Sequence, residues 1–240
     1  MELAYRTHLR YCPTDELEML APDGCDAADI DGASLGVTDG VVAVPALAAP
    51  SVGMLTFTKG GEDVASCILE SVSAHYFPLE TFLSDPVDDF SDMSDEQLWD
   101  ARERAVEVFE RNAGRSFVEH IAVETVVTDG FVELLHCDVS EILFPDSFSL
   151  VSDCQAEGPA GAQRIEYRWG CKSVPTAVAQ AVYALASYYL RPDVTPSRAT
   201  GEATEAGFLR FSLAGRDGAT GLPEVDAIIE QFGRKRYAVL

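Results

Sequence analysis

The stretch "SVPTAVAQAVYALASYYLRP", residues 173–192, constrains this chain more than any other. Pro175 stands where a first helical turn tolerates a missing N–H, and Pro192 stands where a helix must stop. No charged residue lies between Lys172 and Arg191. In the predicted helix Val178, Val182, Leu185, Tyr188 and Tyr189 wrap most of the circumference, and a helix apolar nearly all round is buried on more than one side. A chain of 240 residues supplies few other helices to surround it. The expectation is that part of this surface meets a neighbouring subunit.

Two further helices are predicted. Ser94 and Gln97 make a capping box ahead of an apolar stripe of Leu98, Ala101, Ala105, Val108 and Phe109, and Gly114 marks the end. Asp100 with Arg104 and Glu107 with Arg111 add i,i+4 pairs on the exposed side. The C-terminal stretch "TGLPEVDAIIEQFGRKRYAVL" places Val225, Ile228, Ile229 and Phe232 on one helical face. Pro223 opens this helix, and Gly233 is expected to close it in a left-handed conformation. At about a dozen residues it is marginal alone in water, so its four anchors must dock. Beyond it come Arg234, Lys235, Arg236, Tyr237, Val239 and Leu240. The bland reading is a solvated terminus whose cations suit the end of a helix dipole. The sharper one is a docking arm, with cations to steer toward an acidic partner and apolar groups to bury.

The remainder reads as strands and loops. Residues 1–84 form a β-rich module with turn signals at Asp39-Gly40 and Gly60-Gly61, and with one short helix expected in "YCPTDELEML". Residues 85–93 are an acidic linker whose Asp85, Asp88, Asp89 and Asp92 repel one another. Residues 94–240 form a second domain with a β insertion at about 116–170, carrying a hairpin around Asp129-Gly130 and a strand in "RIEYRWG". The polar loop from Pro192 to Gly207 is too rich in Pro, Thr, Ser and Gly to pack well. The predicted fold class is therefore α+β: a small helical bundle of about three main helices, an inserted β-hairpin region and an N-terminal β-rich module.

Chemistry is harder to find. Forty acidic residues against seventeen basic ones give a net charge of -23, which argues against holding nucleic acid by neutralising phosphates. Six cysteines at 12, 25, 67, 137, 154 and 171 form no C-x-x-C pair, so neither a zinc site nor a redox motif is written, and reduced thiols are expected. No secretory leader and no membrane span are expected. His8, His75, His120 and His136 are each expected to lack partners. In a strand His136 and Cys137 would point to opposite faces, and Glu119 and His120 share that weakness. "DAADIDG" fails as a calcium loop because Ala27 stands where an oxygen ligand is required and Thr38 where a glutamate is required. There is no phosphate loop, no G-x-S-x-G and no H-E-x-x-H. No catalytic residue, cofactor or metal is assigned.

Taken together, three segments resemble the head-to-tail connector (adaptor) proteins of tailed bacteriophages. They are "DEQLWDARERAVEVFERNAGRSFVEH", "RIEYRWGCKSVPTAVAQAVYALASYYLR" and the C-terminal "TGLPEVDAIIEQFGRKRYAVL", and the resemblance covers about residues 80–240. It implies a structural virion protein of the neck, assembled in the host cytoplasm, with no turnover. It further implies a dodecameric ring that joins the portal to the stopper or tail and lets double-stranded DNA pass without specific binding. The helix of Val178, Val182, Leu185, Tyr188 and Tyr189 would form the ring wall. The terminal helix and Arg234, Lys235, Arg236, Tyr237, Val239 and Leu240 would form the portal-docking arm. The alternatives are a tail-terminator or other head or tail completion protein, in which sheet should dominate, and more distantly a small acidic hydrolase.

Overall fold

The computed structural model describes residues 1–85, 88–191, 201–204, 207–210 and 219–234, with only the backbone described at 201–204 and 207–210. Residues 1–75 hold β1 (Glu2–Leu3), β2 (His8–Tyr11), β3 (Glu18–Leu20), β4 (Ala27–Ile30), β5 (Ala33–Gly36), β6 (Val41–Ala43), β7 (Ser51–Lys59) and β8 (Glu62–Ser71). Next come α1 (Glu80–Leu83) and α2 (Asp95–Ala113). A second run of strands follows: β9 (His120–Thr128), β10 (Phe131–Glu133), β11 (Val139–Phe144), β12 (Ser149–Ser152), β13 (Gln155–Glu157) and β14 (Gly161–Trp169). The chain continues through α3 (Thr176–Leu190), β15 (Gly201–Thr204), β16 (Gly207–Arg210) and α4 (Pro223–Phe232).

Sixteen strands against four helices among the described residues make the chain mainly β. It is not the helical bundle with an inserted hairpin that the sequence predicts. Many of the strands are only two to four residues long. So short an alternation carries little signal beside two helices of 15 and 19 residues. The turn at Asp129-Gly130 does exist, but its flanking runs are not hairpin partners: β9 pairs with β14, and β10 with β13. The expected helix in "YCPTDELEML" is likewise a strand end, a turn and a second strand.

The chain divides into two compact units. The first comprises Met1–His75 and Ser116–Ser173, and the second Tyr76–Arg115 and Val174–Leu240. In the first, β2-β8-β7-β4-β5 form a five-stranded sheet, and three-stranded sheets run β1-β3-β6, β11-β14-β9 and β10-β13-β12. Alternation assigns the faces. Leu55, Phe57, Cys67 and Leu69 of β7 and β8 are fully buried, while Met54 and Ile68, a cross-strand pair, are exposed. A further core gathers Val126, Leu134, Val139, Phe148, Ala156, Ile165 and Tyr167.

In the second unit α3 packs against both α2 and α4, and α4 also touches α2. The local signals act as their chemistry requires. Ser94 and Gln97 make the capping box, and Gly114 closes α2 in the left-handed conformation. Tyr183 of α3 sits in an aromatic group with Phe77 and Phe82, at centroid distances of 5.3 and 5.4 Å, and Phe90 meets Phe82 at 5.6 Å. Residues 85–93 take part in this packing. Asp85 accepts a hydrogen bond from the Tyr183 hydroxyl, and Arg191 Nη2 donates to Asp88 Oδ2 at 2.6 Å. No helix among the described residues is long and apolar enough to cross a membrane.

Candidate functional site

The residues singled out for assembly lie in the second unit. Val178, Val182 and Leu185 of α3 have no exposed surface, and each such burial stabilises by about 1.5–3 kcal/mol. On the same helix Tyr188 is 47% exposed. Tyr189 is half-buried, with the Arg104 guanidinium 4.3 Å above its ring, and burial raises its pKa. A shallow cleft of about 320 Å³ opens beside this pair, lined by Met93, Gln97, Asp100, Ala101, Arg104, Tyr189 and Leu190. Its lining mixes the apolar Met93, Ala101 and Leu190 with the polar Gln97, Asp100 and Arg104.

Of the terminal helix, Val225 is fully buried and Ile229 is 9% exposed, while Ile228 and Phe232 are half-buried. Asp226 Oδ1 accepts the Thr220 backbone N–H and hydroxyl, both at 2.9 Å, which fastens the approach to the helix. Gly233 departs from expectation: its backbone is extended, with φ -69° and ψ 160°. Glycine is needed there for space. A Cβ would stand 2.5 Å from Ile229 O, 3.0 Å from Ala113 O and 3.2 Å from Ala113 Cα. That close approach lets Arg234 N donate to Ala113 O at 2.8 Å, so the end of α4 is tied to the end of α2. Gly233→Ala is expected to destabilise the second unit by about 1–3 kcal/mol, read by urea denaturation, because neither backbone carbonyl can yield. Of the predicted docking arm, Arg234 is the residue described; Lys235, Arg236, Tyr237, Val239 and Leu240 lie outside the described residues.

The first unit holds a polar constellation that the sequence did not reveal. His120 Nδ1 lies 2.7 Å from Glu70 Oε1, and Ser116 Oγ lies 2.8 Å from His120 Nε2. Glu70 Oε2 also meets His8 Nε2 at 3.2 Å and Arg10 Nε at 3.3 Å. The parallel register explains the gathering: Arg10 stands opposite Glu70 across β2 and β8, and His8 projects from the same face two residues earlier. His120 opens β9 opposite Trp169, whose ring stacks on it at 4.6 Å and on His136 at 3.9 Å. Burial pushes the Glu70 carboxyl up, but hydrogen bonds from His120 and His8 and the nearby positive charges outweigh it. The carboxyl is held well below its usual range.

Ser116, His120 and Glu70 stand in the order of a hydrolytic triad. Access decides otherwise. Ser116 and His120 are both 0% exposed, and Ser116 Oγ already accepts the Val118 N–H at 3.2 Å. The arrangement therefore orders the start of β9 against β8 and presents no nucleophile to solvent. His8, His75 and His120 each have a carboxylate partner, and His136 stacks on Trp169, contrary to the expectation that none gathers partners. His136 and Cys137 occupy a bend and not a strand. The sequence held no signal for the contact of Glu70 with His120, which spans fifty residues.

No protein-family model and no curated protein matches the sequence. Three solved structures contain similar chains. One is the neck of an empty gene transfer agent (GTA) particle computed with C6 symmetry, at 17% identity and a TM-score of 0.45, covering 68% of this chain and 92% of that chain. Another is the virion of a native GTA particle, at 18% identity and a TM-score of 0.41, with the same shares covered, 68% and 92%. The third is the neck of a native GTA particle computed with C12 symmetry, at 16% identity and a TM-score of 0.38, covering 62% of this chain and 87% of that one. None of the three reaches a TM-score of 0.5.

Proposed function

We propose that this chain is a structural, non-enzymatic component of the neck of a tailed-phage-like particle, a ring adaptor between the portal and the stopper or tail. The observation that carries the reading is the mutual packing of α2, α3 and α4. These helices lie in the three segments that resemble phage connectors, and they meet although long stretches of chain separate them. Their packing holds Gly233 and Arg234 against the end of α2, so the arm that follows starts from a fixed point. Since Val178, Val182 and Leu185 have no exposed surface, contact of α3 with a second copy falls to Tyr188, Tyr189 and the cleft beside them. The net charge of -23 suits a channel through which DNA must slide.

The strand-rich fold favours a second reading, a tail-terminator or another completion protein of the head or tail. One experiment separates the two. The full chain, and a variant ending at Arg234 that keeps the anchor on α2, are each mixed with the portal protein encoded in the same genome, and the mass of the complex is measured. An adaptor gives a ring-sized gain in mass with the full chain, lost or reduced at least about tenfold in affinity when the arm is removed. Binding by the shortened chain at full affinity would remove the docking role of the arm. Failure of the intact chain to bind the portal, with binding to tail-tube ends instead, would replace the adaptor by the terminator.

A further inference from the structure

Cys12, Asp15 and His75, in the first unit and apart from the Glu70 network, converge so that one ligand atom from each lies within 4.8 Å of the others. His75 Nε2 is 2.7 Å from Asp15 Oδ2, and the same oxygen accepts the Cys12 backbone N–H at 2.7 Å. Asp15 N in turn donates to Cys12 O at 2.9 Å, closing a turn that presents thiol and carboxylate together. The parallel pairing brings the third group. Tyr11 stands opposite Ser71, and Val72 N donates to Tyr11 O at 2.8 Å, so the chain leaving β8 carries His75 to the turn that follows β2.

We propose that Cys12 Sγ, the Asp15 carboxylate and the His75 imidazole bind one Zn²⁺ ion. Thiolate, imidazole and carboxylate are the three ligand types zinc takes, at bond lengths of about 2.0–2.3 Å. A tetrahedral ion then holds its ligand atoms about 3.3–3.8 Å apart, so this cluster needs only small shifts to close on it. On binding, the Cys12 thiol releases its proton to water, and the proton that His75 Nε2 donates to Asp15 Oδ2 is given up as well, leaving a neutral imidazole with its single ring proton on Nδ1 and Nε2 facing the metal. Two anionic ligands neutralise the dication, which suits a site where Cys12 is 6% exposed and the other two groups are half-buried. The fourth position is left to water or to a group from another molecule. No C-x-x-C spacing announces this site, because its ligands are joined through strand pairing across sixty residues.

The test uses the full chain, stripped of metal and titrated with Co²⁺ and then with Zn²⁺. The expected result is a thiolate-to-cobalt charge-transfer band with the visible bands of a tetrahedral site, saturating at one equivalent and erased by Zn²⁺. Cys12→Ser should abolish the charge-transfer band, and His75→Gln should weaken binding at least about tenfold. Free zinc at about 100 times its Kd should raise the unfolding midpoint by about 5–10 °C. Absence of the band in the folded wild-type chain, or its persistence in Cys12→Ser, would overturn the proposal. Should Cys12→Ser fail to fold, alkylation of the wild-type chain decides: zinc must protect Cys12 above the other five thiols, and equal labelling overturns the site.

Discussion

Glu70→Leu is expected to destabilise the chain by about 3–5 kcal/mol, the cost of removing one partner from a buried ion pair. The replacement keeps most of the volume of the side chain but leaves His120 Nδ1, His8 Nε2 and Arg10 Nε without the carboxylate they meet at 2.7, 3.2 and 3.3 Å. Urea denaturation near neutral pH measures the loss. The same carboxylate makes stability depend on pH. Burial alone would raise its pKa, but the hydrogen bonds of His120 and His8 prevail and depress it below the ordinary 4.5. A depressed folded-state pKa means that the unfolded chain takes up the proton first. This contribution is complete above about pH 5 and declines as pH falls below 4.5, by up to about 1.4 kcal/mol per pH unit. The wild-type chain should therefore lose stability more steeply in acid than Glu70→Leu. Parallel curves for the two proteins would show that the network does not hold Glu70 ionised.

Gly170→Ala is expected to cost a comparable amount, about 3–5 kcal/mol, through two separable effects. Gly170 follows Trp169 at the end of β14 with φ +93°, a conformation that residues with a Cβ rarely adopt. A Cβ there would lie 2.1 Å from Val118 O, inside the backbone that leads into His120. The clash must displace either the turn after β14 or the start of β9, and both border the stacked rings of His120, Trp169 and His136. Altered Trp fluorescence should accompany the lost stability. Gly130→Ala supplies the comparison: its φ is +129°, but nothing lies within 4 Å of the added Cβ. That substitution retains the backbone strain without the clash and should cost about 1–3 kcal/mol. Equal losses at the two positions would show that the approach of Val118 to Gly170 carries no energy.

The helices were legible in the sequence because their signals are local. A capping box is complete within four residues, and Pro175, Pro223 and Gly114 act on the turn they occupy. The periodic faces were legible too, yet not what covers them. Arg102, which a hydrophobic stripe omits, is 1% exposed with its guanidinium 4.3 Å over the Trp99 ring, while Val108 of the predicted stripe is half-buried. The local pattern predicts a left-handed helix end at Gly233, whereas its constraint is the nearness of Ala113, more than a hundred residues back.

By itself, then, the sequence determined the bounds of α2, α3 and α4, the turns at Asp39-Gly40 and Gly60-Gly61, and a net charge of -23. Only the tertiary structure decided that the chain is mainly β, that residues 116–173 share a unit with residues 1–75, and that His120 reaches Glu70 and His75 reaches Asp15. The physical reason is the range of the bonds. A helix closes its hydrogen bonds within four residues, whereas a strand is completed by whichever distant partner shares its register, and the polar groups beside that partner come with it.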